Sequence, residues 1–161
     1  VGEMLVRELA SEPEDDVAVV VMRIPEPVTG SGRQGRHRHW RFPAAKESVR
    51  LAREAAAAAC RAWGLRVHNA VELVVSELVA NAVLHAGGNV SVNLVDTGQG
   101  VRVEVEDENP MPPVPLEIHP ARVGGYGMHI VSRLADWGWR PSGAGKVVWA
   151  RISPDLEGTG L

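Results

Sequence analysis

Cysteine occurs once, at Cys60, so an intrachain disulfide is impossible and a cysteine-rich zinc site is excluded. Cys60 falls in an alanine-rich run of helical character, where a buried and unreactive thiol is expected. Lysine is confined to Lys46 and Lys146, the other basic residues being arginine. No apolar run approaches the roughly 18 residues that span a bilayer, and no signal peptide is recognisable at the start, so a cytoplasmic location away from any membrane is expected. A net charge of −3 gives no general attraction to DNA or RNA. The one basic cluster is Arg33, Arg36, His37, Arg38, His39 and Arg41, beside an expected strand, and it reads as a solvated edge. At 161 residues, 45% of them apolar, the chain can bury one medium-sized core and carry a short appendage.

The pattern divides near residue 25. Residues 17–24 read as a buried strand preceded by an acidic run, and Pro25, Pro27, Gly30 and Gly32 mark a linker. The expected units are 1–25, a linker over 26–35, a main domain over 36–153 and a tail over 154–161. The main domain opens with a strand over 37–42, and Pro43 suits the first position of a helix over 44–63. The apolar stripe of that helix is Val49, Leu51, Ala52, Ala55, Ala59 and Ala62, and Gly64 ends it. A second helix is predicted over 67–85, stopping at Gly87 and Gly88. Two strands follow with strict alternation: Val90, Val92 and Leu94 share one face, as do Val101, Val103 and Val105, while Arg102, Glu104 and Glu106 point the other way. A hairpin turn over 96–100 joins them. A proline-rich stretch then leads to a third helix over 126–136 and a last strand over 146–152. The predicted fold is a two-layer α/β sandwich, a mixed and mostly antiparallel sheet with three helices on one face and the other face wet.

Three features carry chemistry. On the second helix Glu77, Asn81 and His85 recur every four residues, and at about 100° per residue they span only about 80° of its circumference. They run along one edge of the core-facing arc Val71, Val74, Val75, Leu78, Val79 and Ala82, where a helix borders a cleft. A carboxylate and an amide one turn apart suit a hard cation such as magnesium, and a glutamate can take a proton from an attacking hydroxyl. A solvated helix face accounts for the same three residues. The second feature is Gly124, Gly125, Tyr126, Gly127 and Met128 ahead of an amphipathic helix. Glycines there let backbone N–H groups and the helix dipole approach an anion, although a hinge before a helix looks the same. The third is Asp107 at a strand end, able to accept a hydrogen bond from a base amine or simply to start a turn.

Taken in order, these residues resemble the GHKL ATPases, most closely the branch of bacterial anti-sigma-factor serine/threonine kinases. Residues 77–85 look like the N box, Asp107 stands where the first glycine box begins, and Gly125, Tyr126, Gly127 and Met128 resemble the second. The ending Gly145, Lys146, Val147, Val148 and Trp149 is similar to the last strand of that branch. The resemblance covers about residues 36–153 and implies the two-layer Bergerat fold, with ATP and Mg²⁺ as ligands. It implies Glu77 as catalytic base, Asn81 as magnesium ligand and His85 near the phosphates. Asp107 would read adenine, and the backbone of residues 125–128 would hold phosphates. Two departures stand out: Asp107 is followed by Glu108, Asn109, Pro110 and Met111 where glycines are usual, and Val147 stands where many relatives have a threonine that helps bind near adenine.

The segment from Glu14 to Val21 resembles the final strand of PP2C-type phosphatases, which suggests a fragment of a phosphatase–kinase fusion in which Asp15 and Asp16 are remnants. For the main domain the resemblance implies a kinase that phosphorylates an anti-anti-sigma partner of STAS type in transcription regulation, commonly as a homodimer. The alternative is a catalytically silent nucleotide-binding module that sequesters a sigma factor.

Overall fold

A computed structural model describes residues 35–113, 126–143 and 145–155. The expected N-terminal strand, the linker up to residue 34, the tail beyond 155 and Gly125 lie outside the described residues. The elements run β1 His37–Pro43, α1 Lys46–Ala62, α2 His68–His85, β2 Asn89–Asp96, β3 Val101–Asp107, α3 Gly127–Leu134, β4 Asp136–Ser142 and β5 Gly145–Ile152. The sheet order is β1-β2-β3-β5-β4, and its four described pairings are all antiparallel, so the expected parallel component is not among them.

The alternating strands behave as their pattern dictates. Every second residue of β2 and β3 is buried, and Val90, Val92, Leu94, Val101, Val103 and Val105 meet α2 residues Val71, Val74, Val75, Leu78, Val79 and Ala82 in one core. The opposite face is polar and partly open. There Arg102 pairs with Glu104 at 2.5 Å, and the guanidinium groups of Arg102 and Arg151 lie 6.0 and 5.2 Å from the centroid of the Trp149 ring. Cys60 is fully buried in the core, and burial pushes its thiol pKa up to about 11, which makes it a poor nucleophile at neutral pH.

Three local expectations are corrected. Pro43 ends β1 instead of opening a helix. β1 is an edge strand, where proline's missing N–H costs little, and the Pro43 carbonyl accepts the Ser48 hydroxyl at 2.7 Å as α1 begins. The buried stripe of α1 is Ser48, Ala52, Ala56, Ala57, Ala59 and Cys60, with Leu51 44% exposed. In so uniform an alanine run, periodicity could not single out the inward arc. The third helix stops at Leu134, and the following residues form β4, a strand absent from the sequence reading. Gly138 and Pro141 disguised it, yet an edge strand admits both. The Trp149 ring occupies the space of a side chain at Gly138, where a β-carbon would come 2.6 Å from Cζ2.

In the basic cluster, His37, Arg38, His39 and Arg41 are exposed on the edge strand as expected. Arg36 is structural: its Nε donates to Asp96 Oδ2 at 3.0 Å and its Nη1 to the Trp63 carbonyl at 2.8 Å, tying the start of β1 to the end of α1.

Candidate nucleotide site

The second helix carries one border of the site. Glu77 and Asn81 are partly buried along its edge, and the His85 side chain is exposed at its last turn. The Glu77 carboxylate lies directly against the α-carbon of Gly127: a β-carbon on Gly127 would overlap Oε2 and stand 3.3 Å from Cδ. The Glu77 side chain and the start of α3 are therefore in contact. Met128 is buried in the core, so only its backbone can face an anion. The Tyr126 carbonyl accepts the amides of His129 and Ile130 at 3.0 and 3.1 Å. The amides of Gly127 and Met128 precede that first bonded turn, and α3 itself does not satisfy them.

Burial raises the Glu77 pKa above the ordinary carboxylate range. The folded state therefore holds the proton more tightly than the unfolded chain, and Glu77 favours folding most at low pH. That contribution is lost as pH rises from the ordinary carboxylate value through the raised folded one. Glu77→Gln is expected to melt no lower than wild type at pH 7, with its relative advantage shrinking toward pH 4. Thermal melts across that range check the sign, and a variant that gains on wild type as pH falls would contradict it.

Asp107 closes the other border. The residue is 3% exposed, and Oδ1 accepts two hydrogen bonds, from Lys146 Nζ at 3.0 Å and from the Asn109 amide at 2.8 Å. The turn reading of the strand-end aspartate is what the structure shows, and its carboxylate is buried. Asn109 uses all four of its polar groups. Besides that amide, its carbonyl accepts Lys146 Nζ at 3.0 Å, its Nδ2 donates to the His85 carbonyl at 2.8 Å, and its Oδ1 accepts the Met111 amide at 3.0 Å. The bonds from Asp107 to Asn109 and from Asn109 to Met111 are two successive Asx turns. They steer the chain where glycines are usual, and no described non-glycine residue has a positive φ.

Lys146 and Asn109 are the residues that sequence reasoning missed. The β3–β5 register places Lys146 opposite Asp107 and Val147 opposite Glu106. Val147 is thus on the sheet face away from the helices, and the β5 side chain that reaches Asp107 is Lys146. A cavity of about 380 Å³ lined by Thr97, Arg133, Asp136 and Arg151 lies at the opposite ends of β3 and β5 and contains none of these residues.

The fold is that of a GHKL-type ATPase domain: five antiparallel strands with three helices. Residues 42–152 match the histidine kinase-like ATPase domain family, and the chain belongs to that family. GHKL ATPase domains bind ATP, generally with Mg²⁺. Among solved structures, the nucleotide-free catalytic domain of histidine kinase ThkA is similar at 19% identity, with a TM-score of 0.42, over 74% of this chain and 99% of that one. No curated protein matches the sequence. Among the described residues, no helix is long and apolar enough to cross a membrane.

Proposed function

We propose that this domain binds ATP and transfers its γ-phosphoryl group to a serine or threonine hydroxyl of a small anti-anti-sigma partner of STAS type, acting as a homodimer in a partner-switching system. The observation that carries the reading is Glu77 packed on the first turn of α3, its pKa raised by burial. A carboxylate made more basic by burial is better suited to take a proton in the transition state. The acceptor oxygen bonds to the γ-phosphorus as the bond to the β–γ bridging oxygen breaks. ADP leaves, and the hydroxyl proton passes to the Glu77 carboxylate.

The residues present fit the expected ligands. The buried carboxylate of Asp107 suits a base amine, and the amides at the start of α3 suit phosphate oxygens. Asn81, one turn beyond Glu77, offers an amide oxygen of the kind magnesium accepts. Bound there, magnesium would neutralise and align the phosphates. Asn81→Ala is expected to remove the magnesium-dependent part of ATP affinity and leave the fold intact. Calorimetric titration with and without magnesium, alongside circular dichroism, tests this. Magnesium dependence that persists in a folded variant would overturn the role of Asn81.

A further inference from the structure

Lys146 is 1% exposed at the start of β5 and holds a carboxylate oxygen that a nucleotide base would otherwise meet. We propose that Lys146 sets the base selectivity of this site, making it specific for a base edge with one amine beside one acceptor, as in adenine. The proposal rests on the nucleotide-binding reading above and adds which base is accepted and why.

A carboxylate oxygen accepts about two hydrogen bonds. Oδ1 of Asp107 already has two, from Lys146 Nζ and the Asn109 amide. Both side chains of the ion pair are shielded from water, at 2% and 1% exposure, so these bonds are not exchanged for solvent. Among the described residues, no donor meets Oδ2. One carboxylate oxygen is therefore left with acceptor capacity that a base amine would use. Lys146 has three N–H bonds, of which Asp107 and Asn109 take two, and the third can meet a ring nitrogen beside the amine.

Adenine matches this edge with its 6-amino group on Oδ2 and a neighbouring ring nitrogen toward Nζ. Guanine differs in kind. Its N1–H and 2-amino group lie side by side and need both oxygens of a carboxylate, and Lys146 and Asn109 fill Oδ1. One guanine donor would be buried without a partner, a mismatch that sites built on hydrogen bonds reject strongly.

The test is titration calorimetry of the whole 161-residue chain with ATP, GTP and ITP, on wild type, Lys146→Met and Lys146→Arg. Wild type is expected to prefer ATP over GTP by about tenfold or more, the effect of one buried donor left unpaired. ITP has a single ring donor and should bind more tightly than GTP. Lys146→Met reopens a position on Oδ1, so the ATP-to-GTP ratio should fall by about tenfold, and Lys146→Arg should restore it. A purely structural lysine would weaken both nucleotides together. Because all ligands are compared on one preparation, a partly unfolded fraction cancels from the ratio. Should the Met variant not fold, tighter binding of both ATP and ITP than of GTP in wild type decides, and equal affinity for ITP and GTP would overturn the proposal. An unchanged ratio in folded Lys146→Met overturns it while nucleotide binding stands. Wild-type protein that binds none of the three nucleotides overturns the nucleotide reading itself, and this inference with it.

Discussion

Glu77→Ala is expected to leave ATP affinity nearly unchanged while phosphoryl transfer falls by ~10²–10⁴-fold, the usual contribution of a positioned acid or base. A general base acts chiefly in the transition state, so its loss appears in the rate and not in ground-state binding. The side chain is placed for this by two features: its position on the border of α2 and its contact with Gly127 at the start of α3. Removing it also relieves a partly desolvated carboxylate, so a drop in rate through unfolding is not expected. The measurement is phosphate incorporation into an anti-anti-sigma protein at saturating ATP. Transfer that survives Glu77→Ala would remove Glu77 as the base. Wild-type protein that binds ATP but modifies no partner would favour the silent nucleotide-binding module that sequesters a sigma factor.

Asp107→Ala is expected to lower stability by about 3–5 kcal/mol, because it leaves the Lys146 ammonium buried without its counter-charge. Single domains are stable by only about 5–15 kcal/mol, so this is a large share of the total. The pair Arg50 and Glu54 serves as a control. It has a similar distance, 3.0 Å, but its side chains are 59% and 55% exposed, and Glu54→Ala is expected to cost less than about 1 kcal/mol. Urea unfolding of the two variants compares them directly. A loss below about 1 kcal/mol for Asp107→Ala would mean that the ion pair is not held in a dry environment.

After Asp107, where glycines are usual, the chain turns on hydrogen bonds made by Asn109. Its backbone amide donates to Asp107, its side-chain amide to the His85 carbonyl, and its side-chain oxygen accepts the Met111 amide. Nothing in the residue string 107–111 announced this, because the partners of Asn109 come from α2 and β5 as well as from its own turn.

The sequence by itself determined α2, β2 and β3, together with the alignment of Glu77, Asn81 and His85 on one helix edge. These follow from local periodicity, and each apolar residue of α2 expected inward is buried. The order of motifs likewise sufficed for the ATPase family. Tertiary structure alone decided which residues of the last strand face the site and that β4 exists. Whether Lys146 or Val147 meets Asp107 depends on the register of β5 against β3, and a slip of one residue exchanges the two faces. β4 is held by pairing along β5 and by the Trp149 ring over Gly138. Those are long-range partners, so a sequence with glycine and proline in the strand cannot display them.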